Sequence, residues 1–169
     1  MPNKRKKESN KNHRGNASQF FVAGELCRMG LVAVVTLGNC PNTDILVSNK
    51  QGTKFAHVQV KTFVPGNKTC PVGIKAENNY GDNFFWVLGG IPEHGQDSEF
   101  VYYILPSYDM SKNVGECHKK WQETPGRNNR QHSQDTTMRT VPIPPATEYG
   151  WDLTQYKNRW DLIFNKLAE

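Results

Sequence analysis

Four side chains have the types and spacing to do chemistry together: Glu25, Asp44, Gln59 and Lys61. Three of them lie between residues 42 and 63, a segment that reads as two strands. The strands are 42–48 (NTDILVS) and 54–63 (KFAHVQVKTF), separated by the turn sequence Asn49-Lys50-Gln51-Gly52. With Gln51-Gly52 as a two-residue type I′ loop, Lys50 faces Thr53 and Asp44 falls opposite Gln59. Opposed residues share a face and side chains alternate with period two, so His57, Gln59 and Lys61 lie on the face of Asp44. Ile45, Val47, Val58 and Val60 cover the other face. A carboxylate, an amide oxygen and an ammonium then meet in one patch of a strand-rich core. Lys61 stands in the apolar run from Val58 to Val64, where an unpaired lysine is disfavoured. This geometry leaves two readings open: a half-buried ion pair between Asp44 and Lys61, or a functional site.

Glu25 belongs to a predicted helix over 17–30, capped by Asn16 or Ser18 and ended by Gly30. Val22, Leu26 and Met29 form its apolar stripe, and Glu25 sits on or beside that stripe, facing the sheet. Gly24 permits close approach of the helix to another backbone. Further strands are predicted over 31–36, 83–88 and 99–105, with a helix over 107–123. Residues 64–82 and 124–138 read as loops. A last helix is predicted over 152–167, capped by Asp152 with Gln155, its stripe being Leu153, Tyr156, Trp160, Ile163 and Leu167. This order predicts an α/β (α+β) fold: a mixed sheet of about five strands flanked by helices.

The chain of 169 residues carries a net charge of +5 and is 36% hydrophobic and 11% aromatic. The aromatic content excludes general disorder, and a core of this size folds without disulfides or a structural metal. No run of 18 apolar residues occurs, which excludes a membrane-spanning helix. The basic N-terminus is followed by no apolar stretch of the kind a secretory signal has. Cys27, Cys40, Cys70 and Cys117 are scattered and read as reduced thiols of a cytoplasmic protein. Cys117-His118 with distant His132 matches no common zinc spacing.

Residues 1–16 hold Lys4, Arg5, Lys6, Lys7, Lys11 and Arg14 against Glu8, which accounts for the whole net charge. The stretch reads as a disordered basic tail before a single domain over 17–169; such a tail holds phosphates weakly by counterion release or serves solubility. Lys112, Lys119, Lys120, Arg127, Arg130 and Arg139 form a second basic run, beside the aromatic candidates for base stacking, Tyr108 and Trp121. Against these stand ordinary readings: solvated helix and loop for the charges, core packing for the aromatics, and a satisfied strand histidine for His57. The C-terminal stripe of Tyr156, Trp160 and Phe164 is core or an oligomer face.

Glu25 on the first helix, Asp44 in Asn-Thr-Asp-Ile-Leu-Val and the following Gln59-Val-Lys61-Thr resemble the PD-(D/E)xK nuclease superfamily. Archaeal Holliday-junction resolvases and many restriction endonucleases belong to it. The resemblance covers residues 15–63, and departs from the motif at Thr43, where the name motif has Pro, and at Gln59, where it has an acid. It implies a restriction-endonuclease-like fold with an α-β-β-β core, and a Mg²⁺-dependent nuclease (Mn²⁺ serving as well) that hydrolyses DNA phosphodiesters. It assigns metal ligation to Asp44, the Gln59 side-chain oxygen and the Val60 carbonyl, with Glu25 at a second metal or its water. Lys61 then orients the attacking water and neutralises developing charge. His57, Arg127, Arg130 and the tail residues Lys4 to Lys7 become candidate DNA contacts, and a homodimer is expected where two strands are cut. Gln59 removes one negative charge, so metal affinity falls unless Glu25 supplies it. The rival readings are an inactive nucleic-acid-binding module of the same fold and an α/β protein of another class.

Overall fold

The structure is a computed structural model and describes residues 6–36, 40–133 and 136–168, with the backbone course alone for 6–11 and 127. Helix α1 (Lys6–Arg28) is followed by β1 (Val32–Val35), β2 (Ile45–Ser48), β3 (Phe55–Phe63), β4 (Thr69–Pro71), β5 (Phe84–Gly90) and β6 (Val101–Pro106). Helix α2 (Ser107–Glu123), β7 (Thr140–Pro142) and α3 (Asp161–Leu167) complete the chain. The main sheet has the order β1-β2-β3-β5-β6, antiparallel throughout except for the parallel pair β3 and β5. The result is the mixed five-stranded α+β fold that the pattern of elements predicts.

Period-two alternation separates two cores. Val58 and Val60 of β3, Phe85 and Val87 of β5 and Tyr102 and Ile104 of β6 pack under α1 and α3. Phe84, Trp86 and Leu88 of β5 and Tyr103 and Leu105 of β6 face the other way, under α2. Strand β5 is buried on both faces, as its unbroken apolar sequence requires. Helix α1 approaches β5 closely where Ser18 lies over Gly89: a Cβ at Gly89 would meet the Ser18 hydroxyl at 2.6 Å. Only glycine permits that approach without movement.

The β2–β3 hairpin pairs as predicted. Ile45 opposes Val58, Leu46 opposes His57 and Ser48 opposes Phe55. The turn, however, is not a two-residue type I′ loop. Asn49 and Lys54 close a four-residue loop, with Asn49 N donating to Lys54 O at 3.2 Å and Gly52 N donating to Asn49 O at 3.0 Å. The Asn49 side-chain oxygen takes the Thr53 and Lys54 amides at 2.9 and 3.2 Å. Both loops are centred between Gln51 and Gly52, so the register is the same. An Asn side chain that mimics a backbone acceptor stabilises the longer loop.

Three further differences have local causes. Helix α1 begins at Lys6 and not at 17, so residues 6–16, assigned by charge to a disordered tail, continue the helix. Once packed turns exist, each added residue brings a backbone hydrogen bond, and Arg14 adds an ion pair with Glu93 at 2.9 Å. The helix predicted over 152–167 is broken. The Asp152 carboxylate accepts the Thr154 amide at 2.9 Å, but only a 3-10 turn (Thr154–Tyr156) follows, with Leu153 at its cap position, and Asn158 takes a left-handed φ of 53°. There the chain runs along the free edge of β6, with Lys157 bridging Tyr103 and Asn158 N donating to Tyr102 O. The stripe is thereby divided: Leu153 enters the α2-side core, Ile163 and Leu167 the α1-side core. Finally, β4 and β7, both within or beside predicted loops, pair into a small ribbon next to β3.

Candidate active site

Strand β2 begins only at Ile45, opposite Val58, while β3 runs on to Phe63, so among the described residues β3 has no strand partner on that side just beyond Asp44. Asp44 N donates to Val58 O at 2.9 Å, which fixes the backbone there. The Asp44 side chain then takes the place of the missing strand. Its Oδ2 accepts the Val60 amide at 2.7 Å and the Gln59 side-chain amide. The approach to Asp44 is pinned by Thr36, whose hydroxyl donates to Thr43 O at 2.6 Å and whose amide donates to Asp44 O at 3.0 Å. Burial pushes the Asp44 carboxyl above the ordinary aspartate range, against the opposing pull of the Val60 amide and the Lys61 ammonium.

Lys61 lies half-buried on the same strand face as Gln59. No ion pair joins it to Asp44: the salt bridges among the described residues involve other side chains. The structural-pair reading of Asp44 and Lys61 therefore finds no contact to rest on. Lys61 also lies near the buried Cys70 thiol, which burial pushes up to about 12 while the ammonium draws it down. Asp44, Gln59 and Lys61 line one open cleft of about 760 Å³, together with the buried Trp86 and with Lys75 and Thr137. The sequence reading missed these last three. Lys75 and Thr137 fall in stretches read as loops, and nothing periodic there marks them; Trp86 was visible only as a core strand residue.

Glu25 is not in this cleft. Val58 and Val60 alternate with Gln59 and Lys61, and α1 packs on the valine side. Glu25 consequently lies on the opposite face of the sheet, near Tyr102, where it pairs with Arg28 at 2.7 Å. The part of α1 that comes near Lys61 lies further toward its start, at Asn12, Asn16 and Gln19, which border a separate crevice with Val60 and Thr62. Those side chains are amides, so among the described side chains α1 brings no second carboxylate to Lys61.

Three oxygens remain for a cation. The Asp44 Oδ1 accepts no hydrogen bond among the described residues. Gln59 turns its nitrogen toward Asp44, leaving its side-chain oxygen as the free acceptor. The Val60 N–H and C=O point to the same edge of β3, and β2 does not extend there. One carboxylate, one amide oxygen and one carbonyl fit a Mg²⁺ ion that keeps several waters and takes its remaining ligands from substrate phosphate. Among the described residues no group of three His, Cys, Asp or Glu side chains is placed to hold a metal. His118 and His132 flank the Trp121 ring, His132 at a centroid distance of 3.8 Å.

The candidate DNA contacts are dispersed. Lys4 and Arg5 lie outside the described residues, and Lys6 and Lys7 contribute the first turn of α1. His57 shares a hydrogen bond of 3.2 Å with Thr43 and stacks toward Phe84, which makes it a satisfied strand histidine beside the cleft. Arg127 opens a 3-10 turn and Arg130 is exposed just after it. Arg139 is no surface cation: it is 7% exposed and paired with Glu77. Tyr108 is exposed, whereas Trp121 is held in the histidine stack.

No protein-family model matches the sequence. No curated protein matches it either. Among solved structures, the fold is similar to that of a bacterial homing endonuclease, I-Ssp6803I, with a TM-score of 0.52 and 16% sequence identity. The superposition covers 92% of this chain and 93% of that one, so the likeness extends over the whole α+β architecture.

Proposed function

We propose that the protein is a DNA nuclease of PD-(D/E)xK type that hydrolyses phosphodiesters with Mg²⁺. The single observation that carries the reading is the state of Asp44. A half-buried carboxylate is held by two N–H donors at a strand edge, and beside it, among the described residues, stand an oxygen that accepts no hydrogen bond and a lysine in no ion pair. A structural acid would be closed by a cation. The fold likeness to a homing endonuclease supports DNA as the substrate.

Asp44, the Gln59 oxygen and the Val60 carbonyl would hold the metal, which when bound supplies Lewis-acid polarisation of the scissile phosphate. The protein's own groups do the rest. Val60 N–H and the Gln59 amide fix the rotamer of Asp44. Lys61 places an ammonium in the cleft, where it stabilises the negative charge that grows on phosphorus-bound oxygen and orients the attacking water. Bond formation from that water to phosphorus accompanies cleavage of the bond to the leaving ribose oxygen. The water's proton passes to solvent, and the leaving oxygen takes one from it.

The test is incubation with supercoiled plasmid, linear duplex, single strands and a four-way junction, in Mg²⁺ and in Mn²⁺, beside Lys61→Ala and Asp44→Ala. The expected result is cutting that each substitution lowers by at least about a thousandfold. The second reading is an inactive DNA-binding module, favoured by Gln59 in place of an acid. No cutting on any substrate, with all three proteins binding DNA equally, would establish it.

A further inference from the structure

A second ammonium faces the cleft. Lys75 lies in the 3-10 turn Ile74–Glu77, and Ile74 and Lys75 line the cleft together with Asp44. The turn is exposed at Ile74 and Lys75 but anchored from behind. Ala76 is fully buried, and Glu77 is paired with the buried Arg139. Arg139 in turn donates to Thr136 O at 2.7 Å and to Met138 O at 2.9 Å. The backbone closes the same unit, with Ile74 N donating to Thr137 O at 2.9 Å and Val72 N to Arg139 O at 2.8 Å. A flexible lysine thus stands on a rigid platform. The cleft lining carries two ammoniums, Lys61 and Lys75, against the one carboxylate of Asp44. Outside residues 1–16 the basic and acidic residues are equal in number, so this excess is local. The Trp86 indole N–H is buried with no acceptor among the described residues.

We propose that Lys75 is a positioning residue that docks a backbone phosphate of the bound strand, adjacent to the one that Lys61 and Asp44 address. The assignment rests on the nuclease reading and names the ligand of its cleft: a polyanionic phosphodiester strand that spans it. Lys75 sets where the strand lies; it takes no part in bond breaking. Its contact is with phosphate alone, so it adds affinity without base preference.

The experiment reads binding and cutting separately. Binding of a fluorescent duplex is measured in EDTA at several salt concentrations, and cleavage of the same duplex in Mg²⁺, for wild type, Lys75→Ala, Lys75→Arg, Lys61→Ala and the remote exposed Lys157→Ala. Lys75→Ala is expected to weaken binding about fivefold and to lower the slope of log affinity against log salt by about one. It should raise KM and leave kcat within about twofold, since the contact is uniform between ground and transition states. Lys75→Arg restores the slope, and Lys157→Ala changes nothing. If Lys75→Ala binds and cuts as wild type while Lys61→Ala abolishes cutting, Lys75 docks nothing and the nuclease reading stands. If wild type neither binds nor cuts, the nuclease reading fails and the assignment with it. Binding without cutting, with the slope still lowered in Lys75→Ala, keeps the docking role and transfers it to the inactive module.

Discussion

Asp44 lines the cleft and Glu77 lies behind it, in the turn that carries Lys75, and the two acids are held in different ways. Glu77 is closed by Arg139, whose Nη1 also donates to the Thr136 and Met138 carbonyls. Asp44 has two N–H donors on one oxygen and, among the described residues, no ion-pair partner. The first arrangement closes its acid with a buried cation that is itself tied to backbone carbonyls, which is what a structural clamp does. The second leaves an oxygen and a lysine unspent beside open solvent, which is what a site for an added cation and anion does. Charge inventory alone would rank the two as equals; hydrogen-bond accounting separates them.

Removing the cation from the closed pair gives the largest effect. Arg139→Ala strands Glu77 and two carbonyls and is expected to cost about 3 kcal/mol, read as a lower urea midpoint. An unchanged midpoint would dissolve the contrast. Adding charge to the open site comes next. Gln59→Glu sets two carboxylates together and is expected to lose about 1–2 kcal/mol in EDTA, with Mg²⁺ restoring it. A melting temperature with no more Mg²⁺ response than wild type would refute the metal assignment.

Neutralising the open acid has the opposite sign. Asp44→Asn should stabilise by about 1 kcal/mol at neutral pH while abolishing cutting, because functional charges are held against their solvation. The pH dependence follows from the raised Asp44 pKa. The folded chain holds this proton more tightly than the unfolded chain, so stability falls as pH rises through the ordinary aspartate value of about 4 toward the folded value. Melting curves of wild type and Asp44→Asn should therefore converge on acidification and separate toward neutrality, and the acid limb of kcat/KM should lie above the ordinary aspartate value. The smallest effect belongs to Glu25→Gln, which removes a largely exposed ion pair and is expected to change stability by less than about 0.5 kcal/mol. Full retention of cutting by that variant would match its place on the opposite face, and a lost activity would contradict it.

The hairpin was legible because its information is local. The alternation of Ile45 and Val47 against Asp44, and of Val58 and Val60 against Gln59 and Lys61, fixes both faces, and an error in turn type did not shift the register. Glu25 was misplaced because a helix stripe shows which residues meet the sheet but not which face of the sheet they meet. That choice is made by the valines of β3, remote in sequence. Lys75, Thr137 and the Arg139 clamp were invisible for a related reason. Their position depends on β4 pairing with β7, two three-residue strands with too few side chains to show a period. The C-terminal helix was overread because a stripe of period 3.6 also arises when a chain crosses a sheet edge and feeds two cores in turn.

The walls of the cleft differ in one more respect, the length of chain that must be closed to build each. The bond from Gln59 to Asp44 spans 15 residues and that from Arg139 to Glu77 spans 62. Loop-closure entropy rises with that length, and distant pairings are the slower to form. On a growing polypeptide the acid, amide and lysine can assume their register once the hairpin has emerged, whereas the lysine-bearing wall waits for residue 139. A nascent chain cut short before that residue would carry the reacting groups on a strand edge with no second wall to seat a polymer against them. The order of synthesis thus delays the completed groove until nearly the whole domain is available to fold.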